Sequence, residues 1–165
     1  MPDLLTHALV NSVLPAGRLR RRELAVFVFG GAFPDLASRT PAILMSRLLQ
    51  PGLDEAGLSW LIQGCTALHV PVGFLALSVA LTAALPAFLL GGLSRRRMAL
   101  LVALGGLVHL GTDVMQEHLK PAYRYLFPLS MRPLELGWFD ADLGFLSWPV
   151  LLPLAVWAIR RAPAD

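Results

Sequence analysis

Three clusters of arginine punctuate this chain, and nearly everything between them is apolar. Arg18, Arg20, Arg21 and Arg22 form the first, Arg95, Arg96 and Arg97 the second, Arg160 and Arg161 the third. From Ala56 to Ser94, 39 residues pass without an Asp, Glu, Lys or Arg. Soluble domains carry about a quarter charged residues; here the share is 15%, with mean hydropathy +0.62. The chain therefore reads as one integral membrane domain, residues 1–165, of the all-α class. The basic balance (pI near 9.8) does not indicate nucleic acid, because the arginines stand beside apolar runs instead of along one face. The single cysteine, Cys65, excludes an internal disulfide and a Cys-rich zinc site. No cleavable signal peptide is expected, since the basic residues follow the first apolar run.

Five apolar segments lie between charged boundaries: Leu4 to Gly17, Leu24 to Pro34, a part of Ala56 to Ser94, Met98 to Thr112 continuing to about His118, and Leu143 to Ile159. A helix needs about 20 residues to cross hydrocarbon. The last three segments are expected to span. The first two are too short and are expected to form a helical hairpin whose ends other helices cover. Pro34-Asp35 reads as a helix end, where Asp35 could serve as a cap. The stretch from Ala37 to Gly57 reads as a loop with a short amphipathic helix near Ile43 to Leu49. Tyr123, Tyr125, Phe127, Trp138 and Phe139 suggest an aromatic belt at the outer boundary, with Trp60 and Trp148 as anchors. Gly105-Gly106 should let two helices approach closely.

An alternating path through the five segments puts all three arginine clusters on one side, which the positive-inside rule makes cytoplasmic. That side holds nine Arg against Glu23 and Asp165, net +7; the other holds five bases against nine acids, net −4. The location expected is the inner (cytoplasmic) membrane.

The same path makes the ionisable residues converge. At about 1.5 Å per residue, His7 lies about 16 Å above the arginines, Asp35 about 20 Å, His109 about 18 Å and Asp113 about 24 Å. His69, 26 residues before Arg95, would lie about 39 Å up on a straight helix, unless tilt and kinks near Pro71 and Pro86 shorten the distance. His118 would be at the outer surface. His109 and Asp113 leave one face of their helix, one turn apart. Buried ionisable groups persist only when something stabilises them. Histidines with one or two carboxylates are a ligand set for zinc or another divalent ion. Helix-to-helix hydrogen bonding by each His is the plainer alternative.

These residues also carry a family likeness. The opening Asp3-Leu-Leu-Thr6-His7-Ala-Leu, the Gly31-Ala-Phe-Pro34-Asp35 element, His69, the His109-Leu-x-x-Asp113 helix and Leu126-Phe-Pro128-Leu-Ser130 resemble the YdjM-like family. Its members are described as LexA-regulated, membrane-bound predicted metal-dependent hydrolases. The resemblance spans residues 3 to about 140. It implies a helical membrane protein with a divalent metal, distantly similar to zinc-dependent phospholipase C-like enzymes, with His7, Asp35, His69, His109 and Asp113 as metal positions. The chain departs from the pattern at Ala37, where the family often has a second Asp, and at Gly64 and Cys65, where it often has His-Arg.

The expected activity is hydrolysis of a phospholipid or lipid-linked phosphate ester at the outer leaflet, with zinc, manganese or magnesium. Asp113 would be ligand or base, Glu117, one turn above it, a spare base, and Arg124 and Arg132 holders of an anionic head group. The expected partners are membrane lipid and an amphiphilic substrate, and not nucleic acid. Two rivals stay open: a non-catalytic metal-binding protein that transports or senses an ion, and a structural protein whose His/Asp network only specifies helix packing.

Overall fold

The computed structural model describes residues 4–49, 52, 54–117, 124–130 and 132–165. The expectations for His118 and Tyr123 fall outside the described residues. Among the described residues six α-helices follow one another: α1 (Leu4–Val13), α2 (Arg21–Leu49), α3 (Glu55–Ala67), α4 (Pro71–Ala84), α5 (Arg95–Val114) and α6 (Trp148–Arg161). The one extended pairing among the described residues is a two-residue parallel contact of β1 (Gln116–Glu117) with β2 (Phe139–Asp140). The chain is all-α, as its sequence suggested.

The arginines organise one end of the bundle. Arg97 Nε lies 2.7 Å from Glu23 Oε1, tying the start of α5 to the start of α2. Arg22 Nε reaches Asp165 at 3.1 Å, and Arg22 also donates to the Gly91 carbonyl. The Arg21 amide donates to the Pro163 carbonyl, closing the contact with the end of α6. Arg95 donates to the carbonyls of Thr82, Ala83 and Leu85. It thereby satisfies acceptors at the end of α4 that a helix leaves orphaned. All three clusters thus meet at the same end.

From that end α2 and α5 run parallel at very close range. A Cβ on Gly105 would collide with the Phe27 carbonyl, and one on Gly30 with the carbonyl of Val102. Glycine at these two places is what lets the backbones touch. On the other side of α5, Gly106 lies against the Phe74 ring of α4. Phe74, Met98, Val102, Leu110, Leu90 and Tyr125 form the buried apolar core.

Three expectations are corrected. Pro34 does not end a helix, because α2 runs through both Pro34 and Pro41 to Leu49. Proline removes one donor and disfavours but does not forbid a helix interior, and the Ser38 hydroxyl donates to the Pro34 carbonyl inside this stretch. The loop expected from Ala37 is therefore helix as far as Leu49, and Asp35 is not a cap. The third apolar segment is two helices and not one. Val70 is extended (φ −104°, ψ 154°) before Pro71 at the start of α4, as a residue preceding proline prefers. The fourth helix ends at Val114 and not near His118. There the carbonyls of Val114 and Met115 accept from the amides of Leu136 and Trp138, so the chain passes into the β1–β2 pairing.

Among the described residues one helix, α5, is long and apolar enough to cross a membrane. α4 and α6 have 14 residues each. Of the aromatic residues, Tyr125 is buried in the core and not at a boundary, while Phe127 and Trp138 are exposed. Trp60 is exposed, and Trp148 donates its indole N–H to Thr6 at 3.0 Å, joining α6 to α1.

Candidate metal centre

The α2–α5 contact places the site. Glu23 meets Arg97, 74 positions later. Two turns up, Gly31 meets Gly105, with the same offset. One turn further, Asp35 and His109 face each other with Oδ1 3.9 Å from Nε2. Asp113 follows His109 by one more turn. α1 runs the opposite way from the arginine end and is fixed against α2 by Asn11, whose amide lies on Gly31 and donates to the His7 carbonyl. That contact brings His7 beside His109, with ring centroids 3.8 Å apart. His69 arrives from the turn before α4 and lies edge-on to His109 at 5.2 Å.

Four separate chain segments therefore supply five ionisable groups. Asp113 is the hub. Its Oδ1 lies 3.1 Å from His7 Nε2; its Oδ2 lies 2.8 Å from His69 Nε2 and 3.3 Å from His109 Nε2. Asp35 Oδ1 stands 4.0 Å from His69 Nδ1. The three histidines and Asp113 are buried to 1% exposure or less, whereas the Asp35 side chain keeps 12% and marks where the cluster opens. The four residues counted to one depth, His7, Asp35, His109 and Asp113, do meet, and His69 meets them too. His69 joins the others instead of lying above them, because only 14 residues of α4 separate it from the Leu85–Ser94 connection. That connection includes a short 3₁₀ turn, Ala87–Leu90, and adds little height.

Two hydroxyls complete the group. Ser38 Oγ is 3.0 Å from His69 Nδ1, and Thr112 Oγ1 is 2.9 Å from His7 Nδ1. Neither was singled out from sequence as part of the site. The only signal is helical spacing: Ser38 follows Asp35 by three residues, and Thr112 follows His109 by three.

No family model, curated protein or solved structure matches this chain.

The cluster leaves several buried ring nitrogens without a well-formed hydrogen bond. Neither ring nitrogen of His109 has a hydrogen bond of acceptable geometry, nor does His7 Nε2, although all are fully buried. Buried polar groups are normally paired, and His7 Nε2 and His109 Nε2 sit instead at ion-pair distance from one carboxylate. Two sets, His7 with Asp35 and His109, and His69 with His109 and Asp113, each bring their ligand atoms within 4.8 Å of one another. Bonds of about 2.0–2.2 Å at tetrahedral angles put ligand atoms about 3.4 Å apart; the distances from the three Nε2 atoms to the carboxylates, 2.8 to 3.9 Å, bracket that value. These residues could hold a metal ion.

Three other expected site residues are exposed. Glu117 is exposed in β1, because α5 stops before it and it is not one helical turn above Asp113. Arg124 and Arg132 are exposed in the segment leading to β2. At the opposite end, the Arg97 guanidinium beside Glu23 holds its carboxyl below the usual carboxylate value, against the opposing effect of burial and with help from the Arg20 amide.

Proposed function

We propose that this chain is a membrane-embedded, metal-dependent hydrolase of lipid phosphate esters, related to the YdjM-like family. The observation that carries the reading is the meeting of His7, Asp35, His69, His109 and Asp113 in one buried group. A hydrolase of this kind needs imidazole and carboxylate ligands with one face open to substrate, and Asp35 provides the open side.

A polytopic bilayer setting is favoured by the inverted surface. The helices carry ionisable groups inside and large apolar side chains outside. Val72 and Val79 on α4, Leu100 and Leu104 on α5, and Val150, Leu152 and Val156 on α6 are all exposed. Exposed apolar side chains in this number on three helices fit a membrane or partner interface. α4 and α6 fall short of about 20 residues, so their ends would depend on neighbouring segments. With the arginines toward the cytoplasm, the cluster opens toward the outer leaflet.

Zinc is the ion best suited to three imidazoles and carboxylate oxygen. When bound, it would lower the pKa of a bound water and polarise the phosphoryl oxygen of the ester. His7, His69 and His109 would hold it through Nε2. Asp113, in contact with all three rings, would hold or orient them. Asp35 sits where a substrate oxygen would enter and is the base candidate. Arg124 and Arg132 supply cations for an anionic head group.

A second reading is a non-catalytic metal site, and the near-complete burial of four of the five residues favours it. Purified protein with added zinc or manganese decides between the two. Release of phosphate or diacylglycerol from a phospholipid and lipid-phosphate panel, lost in Asp113→Ala, supports the hydrolase. Zinc binding with no product from any lipid leaves the non-catalytic site.

A further inference from the structure

The hydroxyls of Ser38 and Thr112 each face an imidazole and a backbone carbonyl at once. Ser38 Oγ is 2.7 Å from the Pro34 carbonyl oxygen and 3.0 Å from His69 Nδ1. Thr112 Oγ1 is 2.7 Å from the His109 carbonyl oxygen and 2.9 Å from His7 Nδ1. Two oxygens at 2.7 Å need a hydrogen between them, and a carbonyl has none to give. Each hydroxyl has one hydrogen, so it is committed to the carbonyl. The ring nitrogen must then donate, so Nδ1 carries a proton on both histidines. His69 Nε2 is also 2.8 Å from Asp113 Oδ2, which needs a hydrogen as well, so without a cation that ring holds both protons and a cation would take the place of the one on Nε2.

We propose that Ser38 and Thr112 are positioning residues: they fix His69 and His7 with Nδ1–H directed outward, so that Nε2 is the atom each ring presents to Asp113 and to a cation there. The cation part of this rests on the metal reading above; the assignment of Nδ1 does not. The two are built alike from different helices. Ser38 returns to the carbonyl four residues back in α2, and Thr112 to the carbonyl three residues back in α5. Each hydroxyl is held by its own helix, and the imidazole it meets comes from another segment. A ring whose remote N–H is held in this way keeps its orientation and is the better ligand. Thr112 adds a link that sequence distance hides. It sits between His109 and Asp113 on α5 and orients His7, 105 positions away, so one turn of α5 governs three members of the cluster.

The test uses the full chain in detergent with 15N-labelled histidine. In the wild type, Nδ1 of His7 and His69 should be protonated with or without zinc, and zinc should shift Nε2. Thr112→Val should disturb His7 alone and Ser38→Ala His69 alone, each with zinc affinity reduced roughly 10–100-fold. Thr112→Ser and Ser38→Thr, which restore the hydroxyl, should recover affinity to within a few-fold of wild type; a merely structural role would not separate these pairs. Nδ1 found unprotonated in the wild type, or Thr112→Val and Ser38→Ala binding zinc as the wild type does, overturns the proposal. Wild-type protein that keeps both Nδ1 protons yet takes up no zinc upholds the hydroxyl assignment and overturns the metal reading instead.

Discussion

Asp35 and His109 stand 3.9 Å apart across two parallel helices, at the same offset of 74 positions that pairs Glu23 with Arg97. Gly31 and Gly105 lie between these two contacts and keep the offset. The chemistry at one end and the ion pair at the other are thus set by one helix register.

Widening that register should dismantle the site. In Gly105→Ala the added methyl meets the Phe27 carbonyl, which cannot move without moving α2. Overpacking of this kind costs about 1–3 kcal/mol. Thermal unfolding in detergent should show the loss, and zinc titration should show affinity reduced at least tenfold as Asp35 separates from His109. A variant as stable as wild type with unchanged zinc affinity would mean the helices are not in backbone contact.

Binding an ion should stabilise the fold by an amount that grows with the logarithm of its free concentration. At free zinc 100-fold above the dissociation constant the gain is about 2.7 kcal/mol, and a chelator should reverse it. Asp113→Asn should show no such response, since the amide replaces the oxygen that faces His69 and His109. An equal zinc-dependent rise in both proteins would place the ion elsewhere.

The Glu23–Arg97 pair should leave a signature in acid. The carboxyl of Glu23 is held below its ordinary value, so the folded form binds its proton less readily than the unfolded form. Its contribution is present above the ordinary carboxylate range and is lost as pH falls through the lowered folded value. Because Arg97 is half exposed, the contribution is at most about 1 kcal/mol. Melting curves of wild type and Glu23→Gln should differ at pH 6, and the difference should shrink as pH falls below the ordinary carboxylate range. A difference that stays constant over that range would contradict the assignment.

The shared end of the arginine clusters predicts topology. A fluorescent reporter fused after Asp165, beside Arg22, should mature in the cytoplasm. A reporter active only on the outer side would invert the orientation proposed for the site.

Much of this site was legible because α2 and α5 both start at arginines and rise together, so counting residues from Arg22 and Arg97 put Asp35, His109 and Asp113 at one depth. His7 followed from the same count on α1. The count failed for His69, since it treated residues 85–94 as rising helix when they form a short turn. Pro34 misled for a different reason. Proline weakens a helix locally, but the close packing of α2 on α5 outweighs one lost hydrogen bond. Ser38 and Thr112 gave no signal beyond their helical spacing, because a hydroxyl in a helix bonds its own backbone by default; only tertiary contact shows which imidazole it also meets.

The most direct measurement is elemental analysis of purified wild-type protein beside His109→Ala and Asp113→Ala. One divalent ion per chain in the wild type, and none above background in either variant, is the result predicted. Wild type free of metal after purification and after incubation with zinc, manganese or magnesium would contradict it.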